Sequence, residues 1–249
     1  MSQTVSTSPT DQSGRLPSRV RAVLVAVGLV VAAILLSLVV GVAVALPLLL
    51  GGFEPTSGTV LVASLLATQL SFAAVAWLYL RRREWDVSVA VPTRRDLTWV
   101  AGGVVATVVA AIGLLALSDL IGIEPVESVI EEAVVDEPAL LLVLAGLSIV
   151  LVAPAEEYLF RGVVQTRLRR TFGAPLAIGI ASLLFASIHL LNLVTVGVGA
   201  VVVVAVIFVV AVVLGAAYER TENLAVPVLI HGAYNTTLFV VSFVSLGGL

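Results

Sequence analysis

Residues 22–50 pass without a single charged side chain. That one stretch removes most architectures from consideration. About 20 apolar residues cross the hydrocarbon core of a bilayer as a helix, and only helices and closed barrels satisfy every backbone polar group there. The run is too long for a signal-peptide core and has no convincing cleavage site, so it reads as a first transmembrane helix over 20–50. Further apolar runs follow at 59–80, 97–117, 138–155, 175–191, 194–217 and 224–246. Composition agrees: 60% of residues are hydrophobic and 12% charged, with a mean hydropathy of +1.16. A soluble domain carries about 25% charged residues. The sequence therefore predicts an all-α fold, a polytopic transmembrane helix bundle of about seven to eight spans, with no internal repeat.

Several function classes drop out. No cysteine is present, so there is no disulfide framework, no thiolate metal site and no thiol nucleophile. The net charge of −3, with basic residues only in short clusters at span ends, gives no footprint for nucleic acid. Residues 1–19 are rich in Ser, Thr, Pro and Gly and read as a disordered tail. Residues 20–137 form the N-terminal transmembrane helices and an acidic loop, and 138–249 form a core that carries the unusual polar residues.

Arginine supplies all thirteen basic residues, and its distribution orients the chain. The tail and the connections at 81–95 and 161–170 are basic. The connection at 51–58 and the loop at 119–137, which holds Glu124, Glu127, Glu131 and Glu132 among its acids, have no arginine. The positive-inside rule puts the basic segments, and so the N-terminus, on the cytoplasmic side of a cell (plasma) membrane. Glu156, Glu157 and His231 then fall towards the cytoplasmic side, whereas His189 falls towards the far end of its span.

Three polar groups sit in or beside apolar spans, where a charge costs roughly 2.5–3.5 kcal/mol on insertion scales and an ionisable residue is a functional candidate by default. The first is Ala155-Glu156-Glu157-Tyr158-Leu159-Phe160-Arg161, at the end of the 138–155 run. On a helix Glu157 and Arg161 are i, i+4 partners in the favourable order, which leaves Glu156 turned away and available for proton transfer. Taken alone, the group also fits a helix end leaving the membrane. The second is Phe185-x-x-x-His189, one turn apart on one face; a packing histidine is the plain alternative. The third is His231-Gly232-Ala233-Tyr234-Asn235, where His231 and Asn235 share a face and small residues permit close helix approach; interhelical hydrogen bonding is the plain alternative there. Together they span three hydrophobic segments and use both histidines in the chain. Gln69 and Asn192 rank below them, and Trp77, Tyr79 and Trp85 read as interfacial anchors.

The ordered set Glu156-Glu157-x-x-x-Arg161, Phe185-x-x-x-His189, His231-x-x-x-Asn235 resembles the signature of the CPBP family. These are intramembrane proteases that include type II CAAX prenyl endopeptidases and bacteriocin-processing or immunity (Abi) relatives. The resemblance covers about residues 138–246 and implies hydrolysis of a peptide bond in a membrane-bound protein or peptide. It implies Glu156 as the general base on a water, assisted by His189, with His231 and Asn235 as hydrogen-bond donors to the oxyanion. Glu157, Arg161 and Phe185 are then supporting residues. Members have been described as metal-dependent, and Glu156, His189 and His231 match a zinc set in number and type. No His-Glu-x-x-His is present, and the reading adopted has no metal cofactor, with zinc as the open alternative. Two other classes stay in view: a transporter or proton relay, and an immunity-type scaffold. Oligomeric state and substrate identity are not legible.

Overall fold

The computed structural model describes residues 17–247. Seven helices are long and apolar enough to cross a membrane, so the chain is a multi-pass membrane protein. They are α1 (Ser18–Leu50), α2 (Gly58–Arg83), α3 (Arg94–Leu120), α5 (Leu140–Arg169), α6 (Ala174–Ile188), α7 (Val198–Thr221) and α8 (Ala225–Ser245). A short helix, α4 (Val129–Asp136), lies in the acidic loop. Among the described residues there is no strand, only an isolated bridge between Ser128 and Leu193.

Local chemistry explains most of the boundaries. Ser57 caps α2 by accepting from the Val60 N–H, and α2 ends on Arg81, Arg82 and Arg83 before Glu84 takes a left-handed conformation (φ 53°). The three cations complement the negative end of the helix dipole. A capping box between Thr93 and Asp96 starts α3. Residues 1–16 of the expected tail lie outside the described set, but Ser18 and Arg19 open α1 rather than belonging to a tail.

Two expectations need correction. The acidic loop contains α4, whose Ile130, Ala133 and Val134 pack with Leu61, Val62, Leu140 and Leu141. The side chains of Glu131, Glu132 and Asp136 lie outside the described residues. The second correction matters more. The fourth span does not end at the glutamates: α5 continues as one helical rod to Arg169. At 1.5 Å per residue its 30 residues reach about 45 Å, so Glu156 and Glu157 sit near its middle. The same count removes the His189 conflict. α5 and α6 meet at the turn 170–173; Glu157 lies twelve residues before Arg169 and Phe185 eleven residues after Ala174. The glutamates and the end of α6 are therefore at one level.

α5 is not a uniform helix. Ser148–Val152 and Tyr158–Gln165 are π-helical, with Ala153–Glu157 between them. Pro154 gives a reason for the first: it has no N–H to donate and crowds the preceding turn, and the Ala153 N–H reaches Ser148 O, one residue further back than in an α-helix. π-turns of this kind recur at functional sites.

The arginine-rich segments gather at one end of the bundle, where Arg21, Arg83, Arg167 and Arg170 surround one cavity. The acidic loop lies at the other end, with the Val194 N–H donating to Glu127 O at 3.1 Å.

Candidate active site

The two glutamates point into the bundle, not out of it. Glu157 is fully buried, Arg161 is 1% exposed, and Glu156 and His231 are 6% and 5% exposed. A charge so placed persists only if paired and hydrogen-bonded, and Glu157 is. Its Oε1 accepts from Arg161 Nη1 at 2.8 Å and from His231 Nδ1 at 2.9 Å. Arg161 Nη2 then donates to Ala211 O on α7 at 2.9 Å.

That last bond is the first rung of a ladder. Gln165 Nε2 donates to Gly215 O at 3.0 Å, and Arg169 Nε donates to Glu219 Oε1 at 2.8 Å. The rungs advance four residues at a time on both helices, so α5 and α7 run parallel. In an α-helix each step of four overshoots by about 40°. The π-turn over 158–165 has more residues per turn and takes up that drift. Glu157, Arg161, Gln165 and Arg169 consequently stay on one face. Gly215 permits the approach: a Cβ there would meet Gln165 Oε1 at 2.8 Å and Ile178 Cγ2 at 3.0 Å.

Glu156 faces the other way, towards α2 and α8. Gln69 Nε2 donates to its Oε1 at 2.9 Å. Its Oε2 is buried without a hydrogen-bond partner and lies 3.9 Å from His231 Nε2. His231 thus stands between the pair, with Nδ1 towards Glu157 and Nε2 towards Glu156. A carboxylate can only accept, so the proton on Nδ1 belongs to the histidine. Gly232 lets α8 come close: a Cβ there would be 3.4 Å from Ile149 Cα, on the first π-turn.

Phe185 is the hub. Its ring packs edge-on against Phe160 at 4.9 Å and His231 at 5.8 Å, lies 4.9 Å from the His189 ring, and has the Arg161 guanidinium 4.8 Å above it. His189 opens the single 3-10 turn that ends α6 and is half-buried. Its Nδ1 donates to Phe185 O at 2.8 Å, which leaves Nε2 as the free ring nitrogen.

Of the residues singled out by sequence, Glu156, Glu157, Arg161, Phe185 and His231 form one contact network. His189 joins it through Phe185, with neither glutamate in ion-pair range. Asn235 lies one turn beyond His231, half-buried, its side chain without a hydrogen bond to a described residue. Gln69 is the residue that sequence reasoning underrated. Its only signal was a lone amide in an otherwise apolar span, which reads equally well as interhelical glue.

Both histidines direct Nδ1–H at an oxygen, the pattern by which protein groups orient metal-ligating imidazoles. Among the described residues, however, no three His, Cys, Asp or Glu side chains lie close enough to hold a metal ion. The set Glu156, His189, His231 is not assembled as a ligand group in this geometry, because His189 stands apart from the other two.

No curated protein and no solved structure matches the chain. Residues 138–237 match the family described as Rce1-like, type II CAAX prenyl endopeptidase Rce1-like. All three motifs fall in order inside that segment, which is similar to that family over its 138–237 stretch.

Proposed function

We propose that the protein is an intramembrane endopeptidase that hydrolyses a peptide bond of a membrane-associated protein or peptide, with Glu156 as the water-activating base. One observation carries this reading. Two adjacent buried glutamates differ in their partners: Glu157 Oε1 is held by both Arg161 and His231, whereas Glu156 Oε1 takes only the neutral Gln69 amide and its Oε2 faces His231 Nε2 at 3.9 Å; the second oxygen of each lacks a hydrogen bond. A structural ion pair needs no second carboxylate beside it, and a general base needs a free oxygen within reach of its proton donor.

In the proposed sequence, Glu156 Oε2 takes a proton from a water whose oxygen attacks the scissile carbonyl carbon. His189 assists through Nε2 from the end of α6. The carbonyl oxygen becomes an oxyanion that accepts hydrogen bonds from Asn235 Nδ2 and from Nε2–H of protonated His231. Glu156 then returns its proton to the leaving amine nitrogen as the C–N bond breaks. Glu157 and Arg161 hold His231, and Gln69 holds Glu156 Oε1. With the arginine-rich end facing the cytoplasm, as the positive-inside rule directs, the substrate enters from that leaflet.

Cleavage of a membrane-anchored reporter tests the reading. Glu156→Ala and His189→Ala should each abolish cleavage while expression and membrane insertion persist; wild-type turnover in both would overturn it. Chelator treatment of the purified protein addresses the mechanism separately. Undiminished cleavage is expected, and stoichiometric zinc whose removal stops turnover would replace the metal-free water with a metal-bound one.

A further inference from the structure

Away from the glutamates, at the arginine-rich end of the bundle, lies a cavity of about 350 Å³ lined by Arg21 of α1, Tyr79 and Arg83 of α2, Trp85 just after it, and Arg167 and Arg170 around the end of α5. Four guanidinium groups from three separate segments converge there, and no carboxylate lines the cavity. None of the four forms an ion pair with a described residue; the ion pairs present use Arg161, Arg169 and His231 instead. Like charges brought together without a counter-charge repel one another, so the arrangement calls for an anion.

The walls narrow the class of that anion. Arg170 stacks on Trp85, its Cζ 3.5 Å from the ring centroid, and Arg83 lies 5.6 Å from the Tyr79 ring. Stacked guanidiniums keep their planes fixed and their N–H edges free, the geometry that grips phosphate with two parallel bonds. The Tyr79 hydroxyl is buried without a partner and adds an uncharged donor. The cavity also sits where three helices end: before the second turn of α1, at the last turn of α2 and at the last turn of α5. In a bilayer this is the depth of the headgroups, and basic pockets between helix ends at that depth take anionic headgroups.

We propose that this cavity binds the phosphate of an anionic glycerophospholipid headgroup. The bound lipid ties the ends of α1, α2 and α5 together. It does not depend on the protease reading, since none of these residues belongs to the glutamate–histidine network.

The test uses the full-length protein, delipidated in neutral detergent micelles, with added phosphatidylglycerol, phosphatidylcholine or inorganic phosphate. Melting temperature and the lipid retained in native mass spectra are read together. Phosphatidylglycerol should be retained at one molecule per chain and raise Tm by several degrees, with neither effect from the other two. The triple variant R21Q/R83Q/R170Q should bind it about a hundredfold more weakly, roughly fivefold per arginine, and the single variant R21Q, which removes no ion pair with a described residue, about fivefold. R220Q, outside the cavity lining, should bind as wild type does. Equal retention of phosphatidylcholine, an equal Tm shift with inorganic phosphate, or unchanged affinity in R21Q and the triple variant would each overturn the proposal.

Discussion

The two sides of α5 at its midpoint differ in what their side chains meet. On the α7 side, Glu157, Arg161, Gln165 and Arg169 form a row whose partners are protein atoms at 2.8 to 3.0 Å. On the α2 and α8 side, Glu156 has one partner, Gln69, and a buried oxygen with none. The first side is built around a buried ion pair, as a charge in an apolar bundle requires, and Glu157 Oε2 and Gln165 Oε1 remain without hydrogen bonds there. The second has no arginine: Glu156 meets a neutral amide and, at 3.9 Å, His231 Nε2. Neighbouring residues of the same type thus meet different partners because a helix turns each side chain about 100° from the last.

Four substitutions probe that contrast. Arg161→Met should have the largest effect, because it leaves Glu157 buried without its cation; breaking a buried pair from one side costs about 3–5 kcal/mol. Denaturant unfolding in micelles reads this directly, and a loss under about 1 kcal/mol would mean that His231 alone suffices for Glu157. Gln69→Leu comes next and acts on the other side. A hydrogen bond to a charged group contributes about 1.5–3 kcal/mol, so kcat should fall roughly ten- to a hundredfold. Its KM should hold steady, and unchanged kcat would remove Gln69 from the site.

Gly215→Ala tests the close approach of α7. The added methyl must displace Gln165 Oε1 and Ile178, an overpacking cost of about 1–3 kcal/mol, read by thermal unfolding. Arg169→Gln should have the smallest effect. Its pair with Glu219 is the exposed end of the ladder, with side chains 37% and 25% exposed, and such pairs contribute about 0–1 kcal/mol. A larger loss there would show that the ladder acts as a unit.

The spans were legible because uncharged runs of that length have few alternatives, and six of the seven helices agree with their runs to within a few residues at each end. The continuation of α5 was not legible. Glu156, Glu157 and Arg161 look like a helix leaving the membrane until partners on other helices are known, and those partners lie 50 to 87 positions away in sequence. The π-turns were hidden for a related reason: Pro154 announces a disturbance, but only packing against α8 and α7 determines how it is absorbed. α4 could have been found, since Ile130, Ala133 and Val134 keep helical spacing inside the acidic loop. Of the motif residues, Glu156, Glu157, Arg161, Phe185 and His231 form one contact network, whereas the sequence reading set His189 rather than His231 beside Glu156. The structure puts His231 there, with Phe185 between it and His189.

The most direct test is a paired comparison of Glu156→Gln and Glu157→Gln, measuring cleavage and unfolding on the same preparations. General acid–base groups contribute about 10²–10⁴-fold to rate. Glu156→Gln should therefore lose cleavage by that order while unfolding close to wild type, and Glu157→Gln should lose stability first. Wild-type cleavage by Glu156→Gln, with activity lost only in an equally stable Glu157→Gln, would contradict the division of roles between the two glutamates.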